Sequence, residues 1–225
     1  MNENICYLCG NSITDNLNYD HVPPRQFYAK LIRRNNNLNL LTLSTHIECN
    51  KAYQFDEDYF IHSIGPLAAE TFSGAALWKD ITSQFKRDEG KRIREKVYKE
   101  FEPNPSGLIL PYNKVVKKID PLRVWRIVWK IARGLFFKEY GRILSENTPR
   151  KFKIFSPGEK IPEEFPYVRD TPSKGNYPGV FDYKYICVKE LNNFHVWAML
   201  FWDKLIFIIA FHDPECPCEQ CKNGL

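Results

Sequence analysis

The chain has 225 residues and a net charge of +5, with 44% hydrophobic and 15% aromatic residues. That composition excludes a disordered chain, which would be poorer in both classes, and it supplies core for one large domain or two small ones. The modest positive charge is compatible with a nucleic-acid partner without requiring one. The seven cysteines are odd in number, and the N-terminal Met-Asn-Glu-Asn has no basic region followed by an apolar run, so no signal peptide is readable. The expected compartment is a reducing cytosol, where clustered cysteine points to metal rather than to disulfides.

The first informative feature along the chain is Cys6-Tyr-Leu-Cys9, answered downstream by His46-Ile-Glu-Cys49. Each pair has a two-residue spacer. Two such pairs can close a tetrahedral zinc site of three thiolates and one imidazole, and a closed site of that kind is structural. The plainer reading is ordinary buried thiols and a surface histidine. Between the pairs, a turn-rich stretch (11–18) leads to a short strand ending near Asp20-His21, and Pro23-Pro24 stops any helix there. The pattern then predicts a short helix over 25–32, a loop over 35–39, a strand over 40–43 and a helix from Cys49-Asn50 past Phe60. Asp20, His21 and Asn50 do not belong to the zinc set. They are a hard-cation ligand, a titratable base and a second oxygen ligand, which together suit hydrolysis of a phosphodiester. Their plainer readings are a polar turn before two prolines and a helix cap. Asp56-Glu57-Asp58 reads as a solvated helix face, or as an accessory metal ligand or a contact that positions the helix. Arg25, Lys30, Arg33 and Arg34 lie close to the candidate base and are candidates for phosphate contacts.

Residues 63–100 read as helical, with breaks at Gly65-Pro66 and Gly74. The charged run over 86–99 is diluted by acidic residues and reads as a solvated face. The best helix is 121–141. Asp120-Pro121 supplies a cap and a proline at the first helical position, and Gly141 a stop. Val124, Ile127, Val128, Ile131 and Leu135 mark its core face, while Arg123, Arg126, Lys130 and Arg133 share a stripe that is either solvated or follows phosphates. The proline-rich stretch 147–179 carries no periodicity and reads as loop. Residues 194–211 are apolar enough to suggest a membrane span, but Asp203-Lys204 would put charge at mid-bilayer. Two strands, about 195–201 and 205–211, with a turn at Trp202-Asp203-Lys204, are expected instead, and no membrane partner. Cys187 reads as core. At the C-terminus, His212, Cys216, Cys218 and Cys221 form a possible second zinc set, set against a flexible tail.

Cys-x2-Cys, then Asp20-His21-Val22-x-Pro24, then a pair ending in Cys49-Asn50-Lys51, resembles the zinc-bearing branch of the HNH endonucleases, the ββα-metal nucleases. The run 45–51 followed by Asp56-Glu57-Asp58-Tyr59-Phe60 is similar to a prokaryotic subgroup. The resemblance covers residues 5–62. It implies a treble-clef-like ββα-metal module over 1–62, with a helical and β-hairpin domain over 63–225 left for substrate recognition or partner binding. It further implies that His21 is the general base, that Asp20 and Asn50 hold a catalytic Mg²⁺ or Mn²⁺, and that the products carry a 5′-phosphate and a 3′-hydroxyl. The family's middle asparagine, which steadies the strand pair presenting the base, falls nearest Asn39, with Asn36 and Asn37 as alternatives. The expectation is thus an α+β endonuclease with structural zinc and a nucleic-acid substrate, DNA before RNA, from a restriction, mobile-element or phage-defence setting. The rivals are a zinc module that binds DNA or RNA without cutting it and a structural or interaction protein, such as a toxin or defence subunit that acts only within a complex; a homo-oligomer or a partner protein is left open as well.

Overall fold

The computed structural model describes residues 5–35, 38, 40–87, 90–102, 116–155, 159, 168, 170–175, 179–188 and 194–213. These form an α+β fold. Strand β1 (Leu17–His21) pairs antiparallel with β2 (Thr42–His46), in a register that sets Asp20 opposite Leu43 and His21 opposite Thr42. A 3-10 turn (Arg25–Phe27) and a short helix α1 (Lys30–Asn35) lie between the two strands. Strand β2 runs directly into helix α2 (Ile47–Ile64), with His46 at the junction as the N-cap residue. The helix therefore starts two residues before the expected Cys49, and it continues through the expected boundary at residue 62.

Helix α3 (Phe72–Phe85) is capped by Thr71, whose hydroxyl accepts from the Gly74 N–H at 3.0 Å. Gly74 was expected to break a helix, but it lies in this first turn. A Cβ there would sit 1.8 Å from the Ala68 carbonyl oxygen, so the glycine permits a close chain reversal. Helix α4 (Lys91–Tyr98) carries the exposed basic run, and a small pair, β3 (Phe101–Glu102) with β4 (Val116–Lys117), follows it. Helix α5 (Pro121–Tyr140) matches its sequence signals. The Asp120 carboxylate accepts from the Leu122 and Arg123 N–H groups, and Gly141 ends the helix at φ +67°.

Among the described residues after α5, the strands β5 (Arg150–Phe155), β6 (Phe181–Val188), β7 (Phe194–Phe201) and β8 (Leu205–His212) form an antiparallel sheet in the order β5-β8-β7-β6. The expected hairpin is β7–β8. Its turn holds Trp202 and Asp203 at φ +51° and +54°, the left-handed backbone of a tight hairpin turn. Strand β5 lies inside the stretch expected to be loop. Its exposed Lys151 and Lys153 alternate with less exposed Phe152 and Ile154, a period-two signal that the surrounding prolines obscured. Among the described residues, no helix is long and apolar enough to cross a membrane.

The larger of two apolar clusters among the described residues runs from Cys6 to Phe211 and joins the N-terminal elements to the sheet; the smaller holds Phe155, Val168, Val196 and Ile208. Phe27 stacks on Phe60 at 5.1 Å between centroids, both rings meet Trp202, and the Trp202 indole N–H donates to the Phe27 carbonyl at 3.0 Å. Helix α5 packs one side on the sheet, with Trp129 edge-on to Phe211, and another on the β1–β2 pair through Gly134. A Cβ at Gly134 would lie 2.7 and 2.9 Å from the γ-carbons of Val22 and 3.3 Å from Leu43. The Gly134→Ala variant is therefore expected to lose stability even though alanine favours a helix by about 1 kcal/mol. Overpacking against a stiff β-branched side chain costs about 1–3 kcal/mol. Thermal unfolding is the check: a raised midpoint would show that the contact is slack.

Candidate metal and hydrolytic site

Two features meet at the junction of β2 and α2. The first is a Cys3His group. The ligand atoms of Cys6, Cys9, His46 and Cys49 all lie within 4.8 Å of one another. The His46 Nδ1 is 3.4 Å from the Cys9 sulfur and 3.8 Å from that of Cys49. Zinc–ligand bonds of about 2.0–2.3 Å give tetrahedral edges of roughly 3.4–3.8 Å, so the group has the size and donor chemistry to hold zinc. The other imidazole nitrogen, Nε2, lies 3.3 Å from the Ser12 carbonyl. That partner selects the tautomer with Nδ1 as the free ligand atom. Burial would raise the Cys6 thiol, but hydrogen bonds from the Thr45 hydroxyl and from backbone groups of His46, Cys9 and Leu8 outweigh it and bring the pKa to about 6. Burial and the neighbouring sulfurs of Cys6 and Cys9 push Cys49 up to about 12. Three sulfurs this close repel as thiolates unless a cation sits between them.

The second feature is a cleft of about 370 Å³ lined by Asp20, His21 and Asn50, among others. The three residues singled out from sequence therefore face one space. Asp20 and His21 end β1, and Asn50 lies in the first turn of α2. Arg25 and Lys51 also line the cleft, and both are exposed. Tyr19, 54% exposed, adds an aromatic face at its edge. Burial lowers the His21 pKa, and the Arg25 and Lys130 charges add to this against the opposing effect of Asp20. The imidazole is neutral at neutral pH and able to accept a proton.

Asp20 is buried, and its Oδ2 accepts from the Tyr7 hydroxyl at 2.5 Å. Burial, and then the Asp20 charge, push the Tyr7 phenol well above its ordinary range, so it remains a donor. The same Oδ2 lies 2.7 Å from the ammonium of Lys130, a side chain only 1% exposed that comes from the middle of α5. That ammonium also pairs with Glu57 Oε1 and donates to Asn50 Oδ1 at 3.4 Å. Sequence reasoning placed this residue in the α5 stripe and missed its partners at the cleft. Local sequence hid them: Lys130 stands among cations at three- and four-residue intervals, the pattern of a surface stripe.

Comparison with protein-family profiles, curated proteins and solved structures gave no match. The site is therefore read from its own residues.

Several expectations change with the geometry. The Arg123/Arg126/Lys130/Arg133 stripe is not a solvated face: each of its side chains has a partner within the protein, and only Arg126 keeps substantial exposure. Arg123 and Arg126 each reach Asp56 at 2.5 Å, and Arg133 donates to the Leu144 carbonyl at 2.7 Å and to the Leu8 carbonyl. Asp56 and Glu57 are accordingly contacts that position α2 against α5, while Asp58 is half-buried, lines the cleft and has its carboxyl raised by burial. Of the four basic candidates, Arg25 alone lines the cleft; Lys30, Arg33 and Arg34 lie outside it on α1. Lys51, not anticipated, lines it as well. Asn39, Asn36 and Asn37 fall outside the described residues, as do Cys216, Cys218 and Cys221 of the possible second zinc set. His212 ends β8 with its ring 5.1 Å from that of Phe194. Cys187 is half-buried in β6.

Proposed function

We propose that the chain is an HNH-type endonuclease that hydrolyses phosphodiester bonds, DNA before RNA, with His21 as general base and the Cys3His zinc group as a structural clip. The observation that carries this reading is the meeting of Asp20, His21 and Asn50 in one open cleft beside that group. The order strand, strand, helix around the group (β1, β2, α2) supports the ββα assignment. In the proposed reaction His21 takes a proton from water, the water oxygen bonds to phosphorus, and the bond from phosphorus to the 3′-oxygen breaks. A 5′-phosphate and a 3′-hydroxyl result, the leaving oxygen taking its proton from solvent. Arg25 and Lys51 hold the phosphates at the mouth of the cleft.

Asp20 and Asn50 were expected to hold Mg²⁺ or Mn²⁺. The donor set does not fit that ion as arranged. Asp20 Oδ2 and Asn50 Oδ1 both contact the Lys130 ammonium. A divalent ion on the same oxygens would lie about 4 Å from that charge, and a repulsion of roughly 8 kcal/mol at an effective dielectric of about 20 would offset about half of its attraction to the Asp20 carboxylate. No step above is routed through such an ion.

Incubation of the zinc-loaded protein with supercoiled plasmid and with RNA tests the reading. Nicked and linear products are expected from the plasmid, and intact DNA and RNA in every buffer would sink it. The rate is expected to fall on the acid side, because protonated imidazole cannot accept a proton. The folded pKa of His21 lies below the ordinary value of about 6.5. The neutral form therefore persists to lower pH than in a free histidine, and the acid limb of kcat/KM should have its midpoint below that value. A limb centred above it would assign the proton transfer to another group.

A further inference from the structure

We infer that the cation held by Asp20 and Asn50 is the ammonium of Lys130, so that the cleft works without a divalent ion on those oxygens. The consequence for cleavage rests on the hydrolytic reading above; the identity of the cation does not. An ammonium has three N–H donors. Here three oxygens from two elements meet it: Asp20 Oδ2 from β1, and Asn50 Oδ1 and Glu57 Oε1 from α2. The Tyr53 ring covers it from a further side, its centroid 5.3 Å from Nζ. The set resembles a coordination shell, with a tethered charge at its centre.

The tether is stiff. Helix α5 is fixed at its start by the Asp120 cap and on either side of Lys130 by the ties of Arg126 to Asp56 and of Arg133 to Leu144. The side chain has no exposed route out, since it is 1% accessible. Charge balance points the same way. The cleft carries three carboxylates (Asp20, Glu57, Asp58) and two exposed cations (Arg25, Lys51), and Lys130 behind it makes the balance even. Lys130 acts here as a positioning residue: it is buried behind Asp20 and Asn50 and fixes the direction their oxygens face.

Titration of zinc-loaded protein with Mn²⁺, followed by electron paramagnetic resonance, tests the assignment. Wild type is expected to show no saturable Mn²⁺ site. Lys130→Met combined with Glu57→Gln removes the Lys130–Glu57 pair together and leaves Asp20 as the one carboxylate deprived of its ammonium; this variant is expected to gain one site per chain, lost again when Asp20→Asn is added. A saturable site in wild type that Asp20→Asn removes overturns the proposal, and so does the absence of a site in the double variant when its circular dichroism is native. If the double variant does not fold, the wild-type titration with its Asp20→Asn control decides alone. In parallel, plasmid cleavage by wild type should be equal with and without added Mg²⁺. Cleavage that needs Mg²⁺ overturns the proposal and leaves the nuclease reading standing. No cleavage in either buffer overturns the nuclease reading, and the Mn²⁺ titration still decides about Lys130.

Discussion

His21→Ala is expected to lower the plasmid cleavage rate by about 10²–10⁴-fold, the range typical of removing a positioned general base. The fold should survive. His21 is half-buried at the end of β1, and its pairing with Thr42 uses backbone groups that alanine retains. Near-ultraviolet circular dichroism and the thermal midpoint should stay close to wild type, so a loss of rate can be read as chemistry. Binding of a DNA duplex should change little, because Arg25 and Lys51 remain on the cleft. Added imidazole should restore part of the rate if the cleft still admits a small base. A variant that cuts as fast as wild type would remove His21 from the mechanism and point to another site or to a contaminating nuclease.

The contrast between the two features of the site shows what sequence can carry. The Cys3His group was legible because each ligand pair is local: a two-residue spacer puts both members on one turn, and only the meeting of the pairs is tertiary. Asp20-His21 and Cys49-Asn50 gained their meaning from sitting beside those pairs. Lys130 had no such local context. Its partner Asn50 is 80 residues away, and a lysine on a helix with arginines at three- and four-residue intervals looks like a surface stripe. Whether such a stripe meets solvent or a row of carboxylates depends on which helix packs against it. In this fold the carboxylates of Asp56 and Glu57 come from α2, and that packing is tertiary information.

The same division runs through the fold. Helix α5 was readable because its signals are local: an Asp cap, a proline at the first position, a periodic apolar face and a terminal glycine. The β7–β8 hairpin was readable because charge interrupts an apolar run at one place. Strand β5 was missed because its six residues are too few to stand out among prolines, and because only β8 makes it a strand. The start of α2 was misplaced by two residues because His46 serves three purposes at once: last residue of β2, N-cap of α2 and ligand candidate.

Cys6→Ser is expected to cost folding rather than turnover alone. The variant should bind one zinc fewer per chain than wild type, measured by metal analysis after gel filtration; taking the difference isolates this group from any metal held by the C-terminal cysteines. With zinc bound, the Cys3His group would tie the N-terminal loop, which carries Cys6 and Cys9, to the point where β2 becomes α2. Tyr7 lies within that loop and donates to Asp20, so loosening it also disturbs the floor of the cleft. Loss of a structural metal belongs with the largest single-residue effects, at about 4–5 kcal/mol or more. For a chain of this length that lowers the melting temperature by roughly 10–20 °C. Because Tyr7 and Leu8 are also part of the apolar core, the damage should begin locally. Hydrogen exchange should accelerate first over 5–21 and 42–50, ahead of the β5–β8 sheet. A zinc-free variant that keeps both its melting temperature and its cleavage rate would show that hydrophobic packing alone holds the loop, and the Cys3His group would then have no structural role to explain.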